Sequence, residues 1–193
     1  MKFRAVVLTI VIAALSLAAW AGDIEGKVTG MKGKSVVYVD TISGKTFPAP
    51  TDHPLIDQKG LNFAPQIVVV QQGATVDFKN DDNVAHNVFW PSVGGDKKQT
   101  KNLGTWPKGE KRSYTFDKAG VVPLLCNVHP DMAGYLIVSP TPYFAETDDS
   151  GTYKIKDVPD GSYTVTVWHE GGKSQSKPVN VAGGGKADFT LSK

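Results

Sequence analysis

The chain has 193 residues, 40% hydrophobic and 21% charged, an ordinary globular composition with length for one large domain or two small ones. Its formal charge of +2 at pH 7 falls to zero once Lys2 and Arg4 of an N-terminal leader are set aside, leaving 19 basic against 19 acidic residues. That balance excludes the general electrostatic attraction by which basic proteins bind nucleic acid or anionic lipid, and the single cysteine, Cys126, excludes an intramolecular disulfide.

In the leader, Lys2 and Arg4 precede an apolar run from Ala5 to Ala18, and Ala19-Trp20-Ala21 has the small-x-small pattern of a secretory cleavage site. A signal peptide over residues 1–21 predicts a mature chain beginning at Gly22 and a periplasmic or secreted protein. The apolar run is shorter than the ~20 residues of a membrane span, so no stable membrane insertion is expected after cleavage.

Beyond the leader no long amphipathic helix is visible, and short runs rich in Val, Thr, Tyr and Phe recur between Gly, Pro, Asn and Asp. The chain therefore reads as all-β. Strands are predicted over residues 24–28, 35–40, 56–61, 66–71, 75–80 and 87–90, then over 111–116, 121–125 and 134–138. Between these groups, residues 96–112 are locally basic, with Lys97, Lys98, Lys101, Lys108, Lys111 and Arg112, and read as a solvated loop and strand face. After Pro140 and Pro142, strands are predicted over 153–155, 162–168, 177–181 and 187–191. Asp148-Asp149-Ser150-Gly151 and Pro159-Asp160-Gly161 supply the turns, the first lacking the distal glutamate of a calcium loop.

The chemistry concentrates in Cys126-Asn127-Val128-His129-Pro130-Asp131-Met132, which places a thiolate, an imidazole and a thioether in one loop between two strands. Forty residues upstream, His86 follows Asn80-Asp81-Asp82-Asn83-Val84-Ala85 after another strand. Two imidazoles and a thiolate with a weak axial methionine are the donor set of a blue-copper electron-transfer site. Zinc accepts Cys and two His but has little use for a thioether. His53 reads as loop surface and His169 as the exposed end of a hairpin.

The pattern C-x-x-H-x-x-M, preceded by His86-Asn87-Val88, resembles the cupredoxins, the plastocyanin/amicyanin-like blue copper proteins, over residues 53–139. The resemblance implies one type 1 copper with His86, Cys126 and His129 as strong ligands and Met132 as the axial one. It also implies that Asn87 ties the two ligand loops together and that Pro130 stiffens and shields the loop. Residues 140–193, with strand-like 22–46, resemble a carboxypeptidase regulatory-like (transthyretin-like) β-sandwich, into which the copper domain is inserted or which follows it. The tandem is similar to methylamine-utilization-like bacterial proteins. The implied function is electron carriage to an unidentified redox protein partner, without enzymatic activity; copper binding or delivery, and a scaffold with a structural copper site, are the alternatives. Four histidines cannot furnish both this site and an oxygen-reducing multicopper centre.

Overall fold

The structure is a computed structural model that describes residues 20–193, so the leader predicted over residues 1–21 lies almost wholly outside it. Two strands open the described chain, β1 (Ala21–Thr29) and β2 (Val36–Val39). Next come β3 (Leu55–Gln58), β4 (Phe63–Ala64), β5 (Ile67–Gln71), β6 (Thr75–Asn80) and β7 (His86–Trp90). A 3-10 turn at Lys97–Gln99 leads to β8 (Lys101–Trp106), β9 (Lys111–Thr115), β10 (Gly120–Leu125) and β11 (Ala133–Ser139). The C-terminal part holds β12 (Phe144–Glu146), β13 (Thr152–Pro159), β14 (Gly161–Trp168), β15 (Gln175–Val181), β16 (Gly185–Lys186) and β17 (Phe189–Thr190).

Strands β3 to β11 form one sandwich, with sheet order β5-β11-β10-β7-β8 on one side and β4-β3-β6-β9 on the other. The pairs β5/β11 and β3/β6 are parallel and the rest antiparallel, a crossed connectivity in which chain neighbours often sit in opposite sheets. On the core face of β6, Val76 and Phe78 are buried, and they meet Ile56, Val88, Trp90, Leu124 and Leu136 in a common core. This period-2 burial explains why both sheets are needed: each offers one apolar face that only the other can cover.

The second sandwich pairs a sheet β13-β1-β16, with β17 also on β1, against a sheet β12-β2-β14-β15. Both of its sheets use a strand that precedes the first sandwich in the chain. Ile24 of β1 and Val37 and Val39 of β2 pack with Ile155, Val165, Val167 and Phe189. At Gly26 a Cβ would lie only 1.9 Å from the Ala187 carbonyl oxygen, so this close approach of β1 to the C-terminal segment requires glycine.

A third apolar cluster joins the sandwiches. Ile67 and Ile137, on the outer face of β5 and β11, pack against Val36 and Trp168, with Tyr38, Val69, Val121 and Tyr135 around them. The Tyr135 and Trp168 rings have centroids 5.0 Å apart.

Two expectations are corrected here. His169, read as an exposed hairpin end, is buried: its Nε2 lies 3.0 Å from the Lys32 carbonyl oxygen, and its Nδ1 accepts the Gly171 amide at 3.0 Å. A carbonyl needs a donor and an amide needs an acceptor, so the ring is held as the Nε2–H tautomer between two turns. The segment from Lys101 to Trp106, assigned no strand in the sequence, pairs with β7 as the edge of its sheet. Asn102 and Gly104, the latter with φ +88°, hide its strand character.

Candidate metal centre

Three loops meet at one end of the first sandwich. The β6–β7 connection delivers His86 as the first residue of β7, fixed by its pairing with Trp106 and fully buried. The β10–β11 connection carries Cys126, His129 and Met132, and folds back because the Met132 amide donates to the His129 carbonyl at 3.0 Å. The third is the tight β3–β4 turn, residues 59–62.

His86, Cys126 and His129 converge so that one ligand atom from each lies within 4.8 Å of the others. The two Nδ1 atoms are 3.0 Å apart, and Cys126 Sγ is 3.9 Å from His129 Nδ1. Met132 is buried in the core cluster that also contains Cys126, Val88 and Leu124. His53 stands apart beside Asp77, with Nδ1 3.8 Å from the carboxylate, and is half exposed.

Outer contacts orient these donors. His86 Nε2 faces Asp82 Oδ2 at 2.8 Å, so this nitrogen carries the proton and Nδ1 points its lone pair toward Cys126 and His129. The Asp82 carboxylate also accepts the Gly60 amide at 2.7 Å and the Leu61 amide at 2.9 Å. Burial alone raises the Asp82 carboxyl, but the Leu61 and Gly60 amides and the His86 ring reverse this and hold it at about 2. Asn80 shapes the same loop, its amide donating to the Val84 and Trp106 carbonyls, both at 2.9 Å.

Asn87 links the two ligand loops as the resemblance implied. Its backbone N–H donates to Cys126 Sγ at 3.4 Å, and its side-chain oxygen accepts the Asn127 amide at 3.3 Å. Its Nδ2 is anchored on Asn102 Oδ1 and the Gly104 carbonyl at 2.8 and 2.7 Å. Asp82, which contacts His86 directly, is not singled out by the sequence pattern; the one signal is a carboxylate in the loop four residues before that candidate ligand.

The donor set fits copper. Two imidazole nitrogens this close, one fixed as a lone pair, with a thiol beside them, match the mixed soft and borderline ligation that serves both copper oxidation states. A buried polar cage of this composition at the end of a two-sheet sandwich defines a mononuclear copper-binding β-sandwich protein.

By comparison with known proteins, residues 53–139 match the family of copper binding proteins described as plastocyanin/azurin, and residues 136–192 match the carboxypeptidase regulatory-like domain. It is similar to amicyanin of Paracoccus versutus, 28% identical over 121 residues that span 62% of this chain and 82% of the relative. Among solved structures, a reduced amicyanin variant aligns with TM-score 0.42 and 22% identity, covering 55% of this chain and all of its own (100%). A purple cupredoxin from Nitrosopumilus maritimus aligns with TM-score 0.40 and 27% identity, covering 46% and 100%.

Proposed function

We propose that the protein is an exported carrier of single electrons, with one type 1 copper held by His86, Cys126 and His129 and, axially, by Met132. The observation that carries this reading is the convergence of two Nδ1 atoms and one Sγ within 4.8 Å, with His86 sealed inside and His129 partly exposed. Bound copper supplies the one-electron change. The chain supplies a compact donor set whose members are fixed before binding: Asp82 fixes His86, Asn87 fixes Cys126, and the Met132-to-His129 hydrogen bond closes the loop. Such prior fixation limits rearrangement when the charge of the site changes.

Carriage rather than catalysis is supported by the inventory of histidines. Two of the four serve this centre, His169 is engaged with backbone at both nitrogens, and His53 pairs with Asp77, so none is left for a second, oxygen-reducing copper. The partner is a redox protein docking at the end where His129 reaches the surface. We also read residues 22–46 and 140–193 as one regulatory-like unit interrupted by the copper domain of residues 53–139; the pairing of β1 with β13 and of β2 with β14 supports this division.

The test is an optical spectrum of the copper-loaded, oxidised protein. An intense visible thiolate-to-copper band that disappears in Cys126→Ser is the expected result; a colourless protein with copper bound overturns the assignment.

A further inference from the structure

The bond expected to break when the leader is removed, Ala21–Gly22, lies inside the second sandwich. Ala21 and Gly22 are the first two residues of β1, in register with Pro159 and Val158 of β13. The two sides of the bond differ in exposure: Trp20 is 77% exposed and Ala21 is exposed, whereas Gly22 is buried. A Cβ on Gly22 would lie 2.3 Å from the Gly183 carbonyl carbon and from the Gly184 nitrogen, so the backbone of the β15–β16 turn sits directly against it. Two residues further on, Ile24 is fully buried in the core of this sandwich.

One residue clasps both flanks of this bond. Asp160, in the turn between β13 and β14, donates its amide to the Trp20 carbonyl at 2.9 Å, and its Oδ1 accepts the Gly183 amide at 2.8 Å. The start of β1 and the β15–β16 turn are thereby tied to the same point. A protease takes its substrate as an extended strand laid along its own edge, with residues free on both sides of the bond. Freeing the Gly22 side means lifting Gly22 from between β13 and the β15–β16 turn and drawing Ile24 out of the core.

We propose that the completed second sandwich closes the Ala21–Gly22 bond to a leader peptidase, with Asp160 as the clasp, so that leader removal precedes the docking of β13 and the β15–β16 turn onto β1. The cut is a hydrolysis, in which water gives OH to the Ala21 carbonyl carbon and H to the Gly22 nitrogen. Chain order makes this sequence of events possible. Residues 158–160 and 183–185 lie in the last fifth of the chain, so translocation from the N-terminus delivers them last, and the bond stays open until they arrive. After the cut, β1 keeps its pairing with β13 from Gly22 onward and loses only the contacts of Trp20 and Ala21. A chain that folds first keeps its leader, because cutting then proceeds only through local opening, at a rate set by the population of the open form.

This inference rests on the reading of the protein as exported, and its test separates the two. The probe is a purified bacterial leader peptidase acting on the full chain, leader included, folded in mild detergent; mass spectrometry follows loss of the leader and identifies the new N-terminus. Gly26→Val is the open reference, since a Cβ at Gly26 lies 1.9 Å from the Ala187 carbonyl oxygen and the C-terminal segment cannot dock. Fast amide exchange across β13 confirms that this variant is open. The parent should be cut about 100-fold more slowly than Gly26→Val. Asp160→Ala, which frees the Gly183 amide, should be cut about fivefold faster than the parent, the loss of one exposed hydrogen bond. Asp160→Asn keeps an acceptor there and should match the parent. A parent cut as fast as Gly26→Val overturns the proposal, and an Asp160→Ala chain as resistant as the parent overturns the clasp. If none of the four chains is cut between Ala21 and Gly22, the expected leader site is wrong and the exported reading falls with it.

Discussion

Asp82 Oδ2 lies 2.8 Å from His86 Nε2, placing a full negative charge on the outer edge of a fully buried imidazole. The carboxylate makes the ring a stronger donor and stabilises positive charge at the centre, favouring Cu(II) over Cu(I). Asp82→Asn keeps an acceptor beside Nε2 but removes the charge. The expected outcome is a raised reduction potential, by about 60 mV for each tenfold change in the relative affinity for the two oxidation states. Copper affinity should fall about 10- to 100-fold. Voltammetry and competition with a chelator check both; an unchanged potential would show that the carboxylate acts only by shape, and a lowered one would contradict the charge argument.

Met132 is 1% exposed and shares its core cluster with Cys126, which puts the side chain beneath the centre rather than at its mouth. A weak axial thioether tunes potential more than occupancy. Met132→Gln should therefore retain copper and shift the potential downward, the harder oxygen favouring Cu(II). Complete loss of copper from this variant would make Met132 a primary structural ligand.

The proposed ligand residues stand out in the sequence because their chemistry is local: three soft or borderline donors within seven residues admit few other uses. Two further features do not, because each depends on contacts across the chain. Asp82 matters only because the β3–β4 turn, some twenty residues earlier, turns its amides toward it. His169 looked like an exposed turn residue, but the turn after β1, more than 130 positions away, covers it and offers the Lys32 carbonyl. Edge strand β8 was hidden for a different reason. It buries only Trp106 fully among its six residues, so no alternation of polar and apolar residues announces it. The alternating strands β13 and β14 bury one whole face and were predicted as strands.

The dependence of the C-terminal segment on the N-terminal strands leads to an expectation about fragments. Within residues 140–193, β14 would keep β15 but lose β2 on its other side, and β13 would lose β1 altogether. Ile24, Val37 and Val39 would leave the core, exposing Ile155, Val165 and Val167. A fragment of these residues should be largely unfolded, since unpaired strands and a core this small cannot offset the chain entropy. Circular dichroism on heating checks this: a cooperative transition in the fragment would show that it folds without the N-terminal strands.

Acid should reveal a second stabilising carboxylate, on the sheet face away from the copper ligands. Asp77 on β6 is nearly buried, and its two oxygens take Ser113 Oγ at 2.5 Å and Lys111 Nζ at 2.6 Å, both from the neighbouring strand β9. Burial raises this carboxyl, but the Lys111 and Ser113 hydrogen bonds outweigh it and hold it below the ordinary 3.8. A carboxyl lowered in the folded state contributes stability that is complete above its unfolded value and is lost as pH falls through its folded value. Asp77→Asn should therefore destabilise by about 1 to 2 kcal/mol near neutral pH, a charge-assisted bond discounted for the half-exposed lysine. The gap between parent and variant should stay constant down to about pH 5 and close progressively below the ordinary 3.8. Denaturant unfolding of the two proteins in the same copper state cancels the protonation of the ligands themselves. His53, 3.8 Å from the same carboxylate, is replaced by Gln in both proteins so that its own charge does not enter the comparison; a gap that then widened below the ordinary 3.8 would mean that Asp77 is held protonated in the fold, and the β6–β9 ion pair would have to be abandoned.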